Sequence, residues 1–77
     1  MKTFNIVTMG QCIYCDKAKE LITRKGDGFQ GIELSTKVQY DLYKALGYKT
    51  VPNIVLDGVR IGGYDDLVKF YEEEEAE

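Results

Sequence analysis

Residues Thr3–Lys25 read TFNIVTMGQCIYCDKAKELITRK, and a change of hydrophobic period inside this stretch decides the fold. Thr3–Thr8 is apolar and rich in β-branched residues, the composition of a strand, and Met9-Gly10-Gln11 leads it into a loop. From Cys12 onward the period becomes helical. Tyr14, Ala18, Leu21 and Ile22 share one face, while Asp16, Lys17, Lys19, Glu20 and Arg24 take the other. The pattern predicts an amphipathic helix from Cys12 to about Lys25, stopped by Gly26-Asp27-Gly28. Two cysteines, Cys12 and Cys15, therefore sit where a strand turns into a helix.

Working outward, Phe29–Leu34 reads as a second strand, parallel to the first because a helical crossover joins them. Thr36-Lys37-Val38-Gln39 fits a capping box, and Val38, Leu42, Ala45 and Leu46 form an apolar stripe ending at Gly47, which predicts a helix over 36–46. Tyr40, Tyr43 and Tyr48 flank it, at least two of them as rim packing, apolar in body and wet at the hydroxyl. Asn53–Leu56 and Val59–Ile61 are β-rich runs separated by Asp57-Gly58, a hairpin signal. Gly62-Gly63 ends the second run, and Asp65-Asp66 opens a last helix with Leu67, Val68, Phe70 and Tyr71 apolar. The order β-α-β-α-β-β-α implies an α/β fold: a four-stranded mixed sheet, made of a parallel pair and an antiparallel hairpin, with helices covering it.

At 77 residues the chain is one small domain whose chemistry must lie near its surface, because so short a chain buries only ~60% of its unfolded area. The expected domain is 1–71. Residues 72–77 are an acidic tail holding five of the 13 acids, and setting these five aside leaves eight acids against 10 bases. So balanced a body argues against nucleic acid as a partner. There is no membrane-length apolar run and no signal-peptide pattern, so no membrane role is expected and the protein reads as cytoplasmic.

The chain contains no histidine, which removes Ser-His and Cys-His catalysis and the common metal ligand. The candidate nucleophiles are Cys12 and Cys15. At a helix N-terminus, unpaired N–H groups and the dipole lower a thiol pKa from ~8.5 into the range of about 3.5–7.5, so Cys12 is placed as a nucleophile. Cys15, one turn on and on the same face, can close a disulfide with it and resolve an intermediate. Other readings compete. A structural staple over so short a loop gains little, about 2 kcal/mol, and zinc needs four ligands where the chain offers two. Inert burial of both cysteines is the third, so redox chemistry is the favoured reading. Pro52, at the entrance to a strand, marks an edge or irregular turn, either a simple one or a cis bond. Gly62-Gly63-Tyr64-Asp65-Asp66 is by itself a helix cap, although its glycines also allow close approach by a ligand.

Cys12-Ile13-Tyr14-Cys15, Thr50-Val51-Pro52 and Gly62-Gly63-Tyr64-Asp65-Asp66-Leu67, in this order and over nearly the whole chain, resemble a dithiol glutaredoxin with the thioredoxin fold. The resemblance implies a monomeric thiol-disulfide oxidoreductase in which Cys12 attacks and Cys15 resolves. Pro52 would be cis and face the cysteines, and Tyr14 would be part of the active-site surface. It further implies glutathione as co-substrate, with no bound cofactor or metal. Val51 would pair with the cysteinyl part, Asp65 and Asp66 would hold the γ-glutamyl end, and Gln39 would lie near the glycine carboxylate, with Lys49 at an often basic position and Thr50, Pro52, Gly63 and Tyr64 also in the glutathione groove. Met9 stands where many members carry Lys or Arg, and Ile13 where many carry Pro. Implied partners are disulfide-containing proteins, ribonucleotide reductase among them. Two related readings are a redoxin reduced by thioredoxin reductase, which Ala45-Leu46-Gly47-Tyr48 also resembles, and a glutathione-ligated iron-sulfur cluster carrier.

Overall fold

In the computed structural model, which describes residues 1–76, the chain runs β1 (Thr3–Met9), α1 (Ile13–Arg24), β2 (Gly28–Leu34), α2 (Lys37–Ala45), β3 (Asn53–Leu56), β4 (Val59–Gly62) and α3 (Tyr64–Glu75). This is the expected order. The sheet order is β2-β1-β3-β4, with β1 parallel to β2, and β3 antiparallel to both β1 and β4.

The alternation in β1 decides which helices make the core. Phe4, Ile6 and Thr8 are buried on one face of the sheet, and Ile54 of β3 lies opposite Ile6. Ala18, Leu21 and Ile22 from α1 and Leu67 and Tyr71 from α3 complete that cluster, so α1 and α3 share one side. Phe4 meets Phe70 edge-on at 5.9 Å between ring centres. The Asp27 carboxylate closes this end of the core, accepting from the Lys2 backbone N–H at 2.8 Å and the Tyr71 hydroxyl at 2.7 Å.

Helix α2 lies across the other face, beside Val7, Ile32 and Val55, where it borders an apolar groove of about 340 Å³. Its capping box is formed as the sequence signals, with Thr36 accepting from the Gln39 N–H. The apolar stripe, however, does not bury itself: Val38, Leu42 and Leu46 are 67%, 60% and 73% exposed. The reason is geometric. The helix of 9 residues stands off the sheet, so that Leu42 and Leu46 line the groove with Tyr43 and face Val7, Ile32 and Val55 across open space instead of packing on them.

The Asp57-Gly58 turn joins β3 to β4 with both residues at positive φ, 51° and 81°, the geometry that makes this dipeptide a hairpin turn. Beyond Tyr71, Glu72–Glu75 continue α3, with Glu74 paired to Lys2 at 2.9 Å and Glu75 paired to Lys25. Glu77 lies outside the described residues. Among the described residues no helix is long and apolar enough to cross a membrane.

Candidate active site

The loop Gly10-Gln11 delivers Cys12 to the start of α1. Gln11 adopts φ 55°, a left-handed conformation uncommon for a side-chain-bearing residue, and this turns the chain sharply from β1 into the helix. Cys12 is then the N-cap itself, and its Sγ accepts the Cys15 N–H at 3.1 Å. A sulfur in this position takes one of the hydrogen-bond donors that the first helical turn leaves free. Cys12 and Cys15 are joined as a disulfide, their Cα atoms 5.2 Å apart. Their surroundings differ: Cys12 is half-buried, whereas Cys15 is 1% exposed.

Tyr14, between the cysteines, borders a cleft of about 270 Å³. The cleft's floor is Thr50-Val51-Pro52, and the Val51–Pro52 peptide bond is cis. Tyr43 of α2 holds this segment from behind, its hydroxyl donating to the Thr50 carbonyl at 2.5 Å. Burial pushes the Tyr43 hydroxyl pKa above its ordinary value, which keeps it a donor. Tyr43 also stacks on Tyr48 at 5.2 Å.

The opposite side of the cleft is the beginning of α3: Gly63, Tyr64, Asp65 and Asp66. Asp66 caps its own helix by accepting the Gly63 N–H at 3.1 Å, and Tyr64 reaches Tyr14 across the cleft at 5.9 Å between ring centres. Gly62 precedes this turn at φ 126°, and a Cβ there would stand 2.2 Å from an Asp66 carboxylate oxygen. Only glycine fits.

Eight of the sequence-derived residues thus come together around one cleft or at its edge: Tyr14, Thr50, Val51, Pro52, Gly63, Tyr64, Asp65 and Asp66. Lys49 lies in the adjoining depression with Met9, Thr50 and Val51. Gln39 stands apart, since its side-chain oxygen accepts from the Ser35 and Thr36 N–H groups and it borders the groove beneath α2. Sequence reasoning passed over Arg60, which lines the cleft from β4. Its only signal was a lone cation inside an otherwise apolar strand, Val59-Arg60-Ile61. Among the described residues no group of three or more His, Cys, Asp or Glu could hold a metal ion.

Residues 5–61 match the glutaredoxin family model. Glutaredoxin 1 of Rickettsia prowazekii is 36% identical over 77 residues, an alignment covering 95% of this chain and 81% of the relative. Among solved structures, glutaredoxin 1 of Francisella tularensis superposes with a TM-score of 0.84 at 22% identity, covering all of both chains, and establishes the thioredoxin-like fold. A buckwheat glutaredoxin–glutathione complex superposes with a TM-score of 0.78 at 29% identity, over 92% of this chain and 69% of that one. Together with the Cys12–Cys15 pair, these matches mean that the chain belongs to the glutaredoxin family of thiol-disulfide oxidoreductases.

Proposed function

We propose that this glutaredoxin is a glutathione-dependent dithiol enzyme, acting as a cytoplasmic monomer on protein disulfides and glutathione mixed disulfides, with ribonucleotide reductase among its protein targets. The observation that carries this reading is the unequal setting of the two sulfurs, Cys12 accessible at the helix N-cap and Cys15 buried one turn behind it.

In this reading the Cys12 thiolate attacks one sulfur of the substrate disulfide, forming a mixed disulfide and releasing the other half as a thiol. Cys15 then gives up its proton and attacks the Cys12 sulfur, which closes the Cys12–Cys15 disulfide and releases the second thiol. Two glutathione molecules return the pair to dithiols and leave as glutathione disulfide. Tyr14 and Pro52 shape the surface around the reacting sulfur. Val51, beside Thr50, offers its backbone to the cysteinyl part of glutathione, a short case of strand addition. The α3 N-terminus, through Gly63, Tyr64, Asp65 and Asp66, takes the γ-glutamyl end, with N–H groups for the carboxylate and a side chain for the ammonium. Lys49, in the adjoining depression, serves the glycine carboxylate. The buckwheat complex, a relative of the same fold holding glutathione, supports this reading.

The test is recycling of the oxidised protein by two separate systems, with NADPH consumption as the readout. Turnover with glutathione and glutathione reductase is expected. Turnover with thioredoxin reductase alone would sink glutathione dependence.

A further inference from the structure

Three charged side chains line the cleft: Arg60 from β4, and Asp65 and Asp66 from the first turn of α3. Both signs are present, and the single cation is held rather than loose. Arg60 Nε donates to Asn53 Oδ1 at 2.9 Å, and Asn53 is 4% exposed, so a buried acceptor fixes the near edge of the guanidinium. The guanidinium carbon lies 6.0 Å from the centre of the Tyr48 ring, which stacks on Tyr43, the residue bonded to Thr50. Arg60 makes no salt bridge among the described residues, and as a residue it is exposed where it lines the cleft. A guanidinium with one edge anchored and the other free presents a planar fork to an oxygen pair, the arrangement that suits a carboxylate.

We propose that Arg60 is a specificity-determining residue that binds a carboxylate of the thiol seated in the cleft. The site therefore favours disulfides whose attacked half is anionic, and glutathione over neutral or cationic thiols. This rests on the reading of the cleft as a glutathione site, and it adds a residue from β4 to the binding groups of α3. A charge-assisted hydrogen bond formed in such a cleft corresponds to about a tenfold difference in affinity or more.

Arg60 also satisfies Asn53, so a purely structural role must be separated from recognition. Glutamine carries an amide nitrogen at the same remove from the backbone as the arginine Nε, so Arg60→Gln can keep the donor to Asn53 while removing the charge. Arg60→Lys does the reverse. Each variant, reduced beforehand to the Cys12/Cys15 dithiol, is mixed in single turnover with one peptide carrying either a glutathione mixed disulfide or the same disulfide made with glutathione diethyl ester. No added thiol is needed, because the protein dithiol supplies both electrons and ends as the Cys12–Cys15 disulfide, releasing peptide thiol and glutathione.

The wild type is expected to prefer the free acid. Arg60→Gln should lose about tenfold on the acid through its half-saturation concentration, keep its plateau rate, and change little on the ester, while Arg60→Lys should retain the preference. An equal loss by Arg60→Gln on both substrates, or no loss on the acid, overturns the assignment. So does loss of the preference in Arg60→Lys with Arg60→Gln unaffected, which would leave Arg60 as a support for Asn53. A wild type that reduces a plain peptide disulfide but not the glutathione mixed disulfide would remove the glutathione reading itself, and this inference with it.

Discussion

The Cys15 backbone N–H donates to Cys12 Sγ at 3.1 Å, so the residue that places the second sulfur also holds the first. Cys15 is buried where Cys12 is not, and the two thiols of the reduced protein should react unequally. Limited iodoacetamide is expected to label Cys12 and spare Cys15, as read by peptide mass. Cys12→Ser should abolish disulfide reduction. Cys15→Ser should lose dithiol reactions while keeping release of glutathione from mixed disulfides. Retention of disulfide reduction by Cys12→Ser, with its loss in Cys15→Ser, would reverse the roles.

Tyr43 links α2 to the cleft floor through its bond to the Thr50 carbonyl. Tyr43→Phe keeps the stack on Tyr48 and removes only this bond, at a cost of about 1 kcal/mol, or roughly 4–8 °C in Tm for a domain of this size. Because Thr50 adjoins Val51 and Pro52, the substrate half-saturation constant should rise more than the stability loss alone explains. An unchanged constant in a variant with lowered Tm would show that the bond serves stability only.

Asp27 and Tyr71 are expected to contribute to the acid and alkaline limbs of the fold's pH dependence. The Lys2 N–H, with help from the Tyr71 hydroxyl, holds the Asp27 carboxyl below its usual range despite an opposing contribution from burial. Its stabilisation is therefore present above the unfolded carboxyl pKa, ~3.9, and fades as pH falls through the lower folded value. Tyr71 is shifted upward, chiefly by burial and then by its bond to Asp27, so its contribution holds below the unfolded phenol pKa of about 10 and fades as pH rises beyond it. Asp27→Asn should flatten the acid limb of a Tm-against-pH profile, and Tyr71→Phe the alkaline limb. Unchanged limbs in both variants would mean that the pair contributes nothing to the pH dependence.

The two faces of the sheet should answer differently to mutation. Phe4→Ala empties a fully buried site and is expected to cost about 3–5 kcal/mol, close to the whole stability of a small domain. Leu42→Ser, on the exposed stripe of α2, should stay within about 0.5 kcal/mol. Urea unfolding distinguishes the two, and a large loss at Leu42 would mean that the stripe is buried in solution.

These faces also mark where sequence reading succeeds and where it stops. Period and punctuation carry the element order, because Cys12 to Lys25 changes period and Asp57-Gly58 closes a hairpin by its own backbone preferences. The apolar stripe of Val38, Leu42 and Leu46 was equally legible as a helix, but periodicity says which residues share a face and not whether anything covers it. At the site, Tyr14, Thr50–Pro52 and Gly63–Asp66 were legible as motifs, and the cleft gathers them. Gln39 illustrates the limit, since the capping box that the sequence announces is also what occupies its side chain. Arg60 was hidden for a related reason. On a strand an exposed cation is ordinary, and only the pairing of β4 with β3 brings it to Asn53 and the cleft.

Gly62 ties fold to site in one residue. Its φ of 126° disfavours any side chain, and a Cβ there would run into the Asp66 carboxylate that caps Gly63. Gly62→Ala must therefore distort the backbone or displace Asp66, and either change disturbs the α3 N-terminus that forms one side of the cleft. A loss of about 2–4 kcal/mol is expected, the sum of the strained conformation and the lost cap. Asp66→Ala separates the two contributions, because it removes the cap and the carboxylate, the nearest part of the obstruction, while leaving Gly62 in place. In the Asp66→Ala background, adding Gly62→Ala should cost clearly less than it does in the wild type, since the carboxylate clash is gone and only the φ penalty and a tight 3.0 Å approach to the residue-66 Cβ remain. Equal costs in both backgrounds would mean that Asp66 moves aside freely, and the restriction at residue 62 would then be one of backbone conformation alone.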